Sequence, residues 1–300
     1  MKLLRKGKVK EVYEISGEEL EFLFTDNISV FDKIIPSQIP NKGETLCRTS
    51  AFWFGAAASM GINNHFVEVL EGNRMRVKRV EVIHDYSKIT PKTRSYLIPM
   101  EWVARHYVAG SLYDRLKEGH IRPEEVGFPS GHRMEYGENL QQPWLEVTTK
   151  LEKVDRLLSR EEGLDISGLT DQEFDEIWET VLKLDERIER DVRRRGLVHV
   201  DGKKEFAMDG ERSVMVVDTF GTADEDRFWD RDQFEMGRFV ELSKEFVRQH
   251  YRNTDYFGEL YEARRLGEEE PDIPSLPQEM VRQVSDLYVS LFQRITGLEL

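Results

Sequence analysis

The segment from Asp171 to Arg195 constrains this chain more than any other. Phe174, Ile177, Trp178, Val181, Leu182, Ile188 and Val192 recur with the helical period and fall on one stripe. Thr170, with Glu173 three residues on, forms a capping-box start, and Gly196 stands where a terminating glycine belongs. The pattern predicts a long helix that lays its stripe on a core and carries no catalytic group. Three strand-like segments follow: LVHVD, KEFAM and SVMVVD, with Asp209-Gly210 between the last two as a hairpin signal. Helix and sheet in one chain point to an α+β fold.

The first 85 or so residues read mostly as strand, in GKVKEVYEI, LEFLFTD, HFVEVL and RMRVKRVEVI. One helix interrupts them, from Thr45 to Met60, ending at Gly61. A second region begins near Tyr96, where EWVARHYV reads as strand and AGS leads into a short helix, LYDRLKEG. Residues 120–145, rich in Gly and Pro, are expected to form a long surface loop able to close over a site. Asp232–Arg252 reads as helix, GEEEPDIPSLP as connector, and Pro277–Thr296 as a final helix stopped by Gly297. The 300 residues divide as a β-rich N-terminal lobe (1–90), a larger α+β lobe (91–265), and a connector with a C-terminal helix packing back (266–300).

Composition narrows the function. With 57 acidic and 43 basic residues the chain carries −14, a poor charge for general nucleic-acid binding. No apolar run is long enough to span a membrane, and the N-terminus lacks the apolar core of a signal peptide. Cys47 is the only cysteine, so no internal disulfide forms, and a reducing cytoplasm is expected. The seven histidines show no zinc-binding spacing, and no G-x-S-x-G elbow is present.

Several constellations can carry chemistry. With a two-residue hairpin loop, Lys203, Glu205, Val216 and Asp218 share one sheet face, with Lys203 opposite Asp218. Such a face can hold Mg²⁺ through carboxylates and phosphate through the ammonium; it is equally an exposed face laced with ion pairs. A three-residue loop would move Asp218 to the other face. Arg105 and Ser111 flank the Ala109-Gly110 junction into a helix, which suits an anion, although Ser111 also suits an ordinary N-cap. Lys8 and Lys10 face one way on the first strand-like segment, without a Walker motif. Arg227 follows three acids that can simply pair with it, and Thr148 through Glu152 taken alone reads as a solvated turn.

The order of these segments says more than any one of them. GKVKEVYE, SVFDKIIPSQIPNKGETL, VARHYVAGS, TTKLE, DGKKEF and VDTFGTADEDRFW, together with FVRQHY and LPQEMVRQVSDLYVSLFQRITG, resemble the motif series of the SAICAR synthetase (phosphoribosylaminoimidazole-succinocarboxamide synthase) family over nearly the whole chain. The resemblance implies a small β-rich lobe beside an ATP-binding α+β lobe. It implies an ATP-dependent ligase that joins carboxyaminoimidazole ribonucleotide (CAIR) to L-aspartate through an acyl phosphate, in purine synthesis. Lys8 and Lys10 match lysines near the ATP phosphates; Lys203 matches the lysine, and Glu205 the glutamate, of D-x-K-x-E-F. Glu205 and Asp218 are then the Mg²⁺ ligands. Arg105 and Ser111 match the pair that holds the ribonucleotide, with Arg227 on the same side. Asp32 is expected near the reacting groups, Lys150 and Glu152 match a substrate-side stretch, and adenine is expected on the backbone around Leu97 and Ile98, taken as the join between lobes.

Five positions depart from the family pattern: Thr219 for glutamate, Ala223 for proline, Asp226 for serine, Ala207 for glycine, and Lys204 where an apolar residue is usual. A homo-oligomer, preferably a dimer, is expected, with no membrane or nucleic-acid partner. Lys8, Lys10, Arg105, Lys203, Glu205, Asp218 and Arg227 are expected to line one positive cleft inside an acidic shell.

Overall fold

The computed structural model describes residues 1–242 and 244–300. Strands and helices are numbered in chain order. The N-terminal sheet contains β1 (Lys2–Lys6), β2 (Lys10–Glu14), β3 (Glu19–Phe24), β6 (Phe66–Glu71) and β7 (Arg74–Lys78) in the antiparallel order β1-β2-β3-β7-β6. Between β3 and β6 come a two-stranded ribbon, β4 (Asn27–Val30) and β5 (Lys33–Gln38), and helix α1 (Lys42–Ser59). Helix α1 starts three residues before the predicted Thr45. Gly43 N donates to Asp26 Oδ1 at 2.9 Å, and a Cβ at Gly43 would fall 2.4 Å from the Phe24 carbonyl, so the first turn is seated directly on β3.

The second sheet contains β8 (Tyr96–Tyr107), β9 (Asn139–Thr149), β10 (Leu197–Met208), β11 (Val214–Val217) and β12 (Asp226–Asp230). Its order is β11-β10-β8-β9, with β12 also paired to β10. LVHVD and KEFAM are one continuous strand running through Gly202. Helices α2 (Gly110–Lys117) and α3 (Arg160–Ser167) flank the sheet, and α4 (Asp171–Arg193) lies across its back. The predicted capping box of α4 is present, and its stripe is buried through Phe174, Ile177, Val181, Ile188 and Val192. Leu184 takes the buried position expected of Leu182, and Asp185 lies buried within the same stripe.

The hairpin differs from the reading in a way that matters. Glu205 pairs with Val217 and Phe206 with Val216, so Lys203 is not opposite Asp218, and Val216 faces away from Glu205. The loop has three residues between the paired Asp209 and Ser213, with Arg212 left-handed at φ 62°. Asp209 Oδ1 accepts from the backbone of Glu211 and Ser213, while Arg212 donates to the Thr93 and Gly168 carbonyls and to Glu173. These tertiary anchors outweigh the two-residue Asp-Gly signal.

Residues 139–145 belong to β9, so the irregular stretch ends near Glu138, and Pro123–Val126 forms a 3₁₀ turn within it. Asp232–Arg252 is broken: α5 (Arg231–Glu235) stops before Gly237, at φ 73°, and α6 (Glu245–Arg252) begins afresh. Ser243, inside that predicted helix, lies outside the described residues. Helix α7 (Asp255–Leu266) was not anticipated. Helix α8 (Gln278–Thr296) packs on α1, with Pro277 as its N-cap.

Candidate active site

The site is built on the alternation of β10. Asp201, Lys203 and Glu205 project from one face about 7 Å apart along the strand. Their partners on β8 are Arg105, Val103 and Glu101. Two charged groups result, at opposite ends of one sheet face.

At the first end, Lys203 Nζ lies 2.8 Å from Glu101 Oε1, 2.9 Å from Glu205 Oε1 and 3.2 Å from Glu225 Oε2. Lys150 Nζ is 3.4 Å from Glu101 and touches Glu205 Oε2, so Lys150 is not on the solvated turn expected of it. Burial alone would raise the Glu205 carboxyl, but Lys150 and Lys203 outweigh it and hold it well below the usual carboxylate range. Burial likewise opposes the Lys203 ammonium, and Glu205, Glu225 and Glu101 together push it well above its ordinary value.

Asp218 reaches this group by another route than the predicted register. It follows the end of β11 and is left-handed at φ 61°, which breaks the alternation and swings its carboxylate against Lys10. Lys8 Nζ pairs with Asp32 at 2.6 Å. A cleft of about 1300 Å³ opens here between the two sheets. Val12, Leu20, Phe22 and Phe24 form its apolar wall, and Lys8, Lys10, Lys150, Glu152, Glu205, Asp218, Asp224 and Glu225 its charged wall. Leu97 lines it, whereas Ile98 is fully buried in the core. Both belong to β8, so the join between the sheets is residues 79–95, of which Arg79, Val80, Glu81, Val82 and His84 line the cleft.

At the second end, two guanidinium groups converge on Asp201. Arg105 Nη1 and Arg227 Nη1 each lie 3.2 Å from Asp201 Oδ2. Arg105 also donates to Glu146 at 2.7 Å and to Ser111 Oγ at 3.1 Å. Ser111 is inside α2 and does not cap it; Ala109 is the N-cap. Gly110 is required, because a Cβ there would stand 2.5 Å from Arg227 Nη1 and its φ is 52°. Arg227 pairs with Asp201 and, at 3.7 Å, with Glu241, not with the three acids before it in sequence.

The single cleft expected from sequence is therefore two adjoining clusters on one sheet face. Lys8, Lys10, Lys150, Leu97, Glu205 and Asp218 line the cleft, Lys203 and Asp32 join it through ion pairs, and Arg105, Ser111 and Arg227 form the neighbouring cluster. Nor is the cleft simply positive, since its lysines arrive paired with carboxylates. Glu101, Asp201 and Glu225 were missed. Strand alternation from Arg105 and Lys203 points to the first two, whereas Glu225 reads in sequence only as a partner for Arg227.

The residues fit a divalent cation. Glu205 and Asp218 are hard oxygen donors facing the same cleft, each now against an ammonium. Glu205 Oε2 is buried against the Lys150 ammonium, so that oxygen already faces positive charge.

Paired lysines and carboxylates in a cleft between two sheets, with arginines beside it, define an α+β enzyme that handles phosphorylated substrates. The family model for SAICAR synthetase matches residues 3–262. Phosphoribosylaminoimidazole-succinocarboxamide synthase of Thermoplasma acidophilum is 56% identical, covering 99% of each chain, and that of Thermoplasma volcanium is 54% identical with the same coverage. Among solved structures, a SAICAR synthetase (type 2) in complex with ADP superposes with a TM-score of 0.71 at 23% identity, covering 99% of this chain and 98% of that one. The Saccharomyces cerevisiae SAICAR synthase complexed with SAICAR gives 0.75 at 21% identity, covering 99% and 95%. The chain belongs to the SAICAR synthetase family, the enzymes that join CAIR and L-aspartate at the expense of ATP in purine biosynthesis.

Proposed function

We propose that the two clusters divide the reaction between them: nucleotide and metal at the cleft, ribonucleotide phosphate at the arginine cluster. The observation that carries this reading is the single face of β10, on which Asp201, Lys203 and Glu205 stand in line between the two. Lys8 and Lys10 hold the ATP phosphates, with the base against the apolar wall near Leu97 and the 79–95 join. Glu205 and Asp218 hold Mg²⁺, whose charge would offset that of the polyphosphate. Arg105, Ser111 and Arg227 hold the ribonucleotide phosphate. Its carboxylate then lies toward Lys203, which steadies the charge of the transferred phosphoryl group.

The carboxylate oxygen takes the terminal phosphoryl group, giving an acyl phosphate and ADP. The aspartate amine attacks the acyl carbon, loses a proton and expels phosphate. Asp32 and Lys150 stand near the reacting groups, with Lys150 orienting a substrate carboxylate. A homo-oligomer and a cytoplasmic location complete the reading; the lone, free Cys47 fits a reducing compartment, and no helix among the described residues is long and apolar enough to cross a membrane.

The test omits ATP, CAIR or aspartate in turn and measures ADP and SAICAR. Stoichiometric ADP and SAICAR only with all three is the expected result. Steady ADP formation with no incorporation of aspartate would instead indicate a kinase that uses the same nucleotide site.

A further inference from the structure

The face of β10 turned away from the cleft carries charges that the reaction does not use. Lys204 and Asp185 are buried against each other, Lys204 from β10 and Asp185 from α4. Lys204 Nζ also lies 3.5 Å from Asp226 Oδ2. That oxygen is 2.7 Å from His199 Nε2, and Asp226 Oδ1 accepts from Gly221 N at 2.7 Å. His106 Nε2 stands 3.1 Å from Asp185 Oδ2. Gly202 makes room for the arrangement: a Cβ there would fall 2.0 Å from Asp226 Oδ2 and 2.8 Å from Lys204 Nζ.

His106, Asp185 and His199 are close enough to hold a metal ion. A lysine ammonium already touches Asp185, however, so the cluster contains its own cation and a second one would be repelled. Lys204 supplies positive charge to both carboxylates without a metal. Asp185 and Asp226 face Lys204 and the His199 imidazole; burial disfavours the imidazolium, but the two carboxylates outweigh it and raise His199 above its ordinary value.

The position of this cluster gives it consequence. Lys204 lies between Lys203 and Glu205, and Asp226 between Glu225 and Arg227. The bond from Gly221 ties the turn that begins at Asp218 to the same carboxylate.

We propose that Lys204 and Asp226 are a matched pair of positioning residues, a charge-balanced brace behind the sheet that sets how Lys203 and Glu205 stand against Glu225 and Arg227 in front. The inference rests on the reading of the front face as the active site. Either partner removed alone changes the charge of a dry site by one, whereas removal of both takes out one charge of each sign and leaves Asp185 facing His106 and His199.

The test is a cycle of Lys204→Met, Asp226→Ser and the double variant, assayed well below each variant's own Tm so that all are folded. Each single variant is expected to lose about tenfold or more in kcat, and the double variant to return to within about threefold of wild type. Folded single variants with lowered Tm but wild-type kcat would reduce the pair to ordinary core stabilisation and overturn the proposal. A double variant as poor as the product of the two singles would also overturn it. If the single variants do not fold, the double variant decides: folded and active supports the brace, while unfolded or folded and inactive refutes it. ADP binding by calorimetry to the same folded variants separates the two ideas. If the wild type makes no SAICAR, the reading of the front face fails. The brace is then judged on ADP affinity, expected to fall in the single variants and recover in the double, and refuted by equal affinity in all.

Discussion

Lys42→Met is a sharp test of how this molecule is held together. Lys42, the first residue of α1, is fully buried, and its ammonium lies 2.7 Å from Asp224 Oδ2. Tyr288 of α8 donates to the other Asp224 oxygen at 2.5 Å. Burial works against the ionised carboxylate, yet Lys42 and Lys244 pull Asp224 down from 3.8 to about 2. At about 1.4 kcal/mol per pH unit, that shift corresponds to roughly 2.5 kcal/mol favouring the charged form. Breaking a buried pair from one side costs about 3–5 kcal/mol. The variant is therefore expected to be about 3 kcal/mol less stable at neutral pH, a loss of roughly 5 °C in Tm for a chain of this size.

The sign of the pH dependence distinguishes this mechanism from simple loss of packing. In the wild type the depressed pKa gives stability that is present above 3.8 and lost as pH falls through about 2. In the variant Asp224 keeps Lys244 and the Tyr288 hydroxyl but loses the lysine in contact with it, so burial outweighs what remains, its pKa rises and ionisation opposes folding. Acidification toward pH 4 protonates it and relieves the penalty, while the wild type still retains most of its pair. Denaturant unfolding of both proteins at neutral pH and near pH 4 should show the gap narrowing. A stability difference equal at both pH values would refute the argument.

Three further outcomes follow from the site. Glu205→Gln should lower turnover by orders of magnitude while leaving the circular dichroism spectrum native, since one of the two proposed oxygen ligands loses its charge; near-normal activity would overturn the metal assignment. Arg105→Ala should weaken CAIR binding tenfold or more and barely change ATP binding, as measured by separate calorimetric titrations. Gly110→Ala should behave likewise, because the new Cβ would displace the Arg227 guanidinium and strain a left-handed position; unchanged CAIR affinity would show that Arg227 does not depend on that close approach.

The fold class and the long helix were legible because periodicity and caps are local. Phe174 through Val192 and the Thr170–Glu173 box needed no knowledge of the rest of the chain. The hairpin was not legible, because its three-residue loop is held by Arg212 reaching Thr93, Gly168 and Glu173, all distant in sequence. Asp218 was named for a geometrical reason that fails and arrives through a left-handed turn that the register argument did not contain. Glu205, Lys203 and Arg105 could be named because strand alternation and motif order both point to them. The pairing of Lys204 with Asp185 could not be read, since a buried ion pair between a strand and a helix has no signature along the chain.

The alternation of β10 also bears on how this protein can change over time. Odd positions from Asp201 to Glu205 carry the charged front face, and even positions are filled by Gly202, where a Cβ has no room, and by Lys204. Such a strand has no neutral parity. A scan of all substitutions along it should find intolerance on both faces, where an ordinary sheet strand would show every second residue free to drift. An inserted or deleted residue would exchange the two faces outright, so the length of this strand is expected to be as fixed in descent as any residue on it.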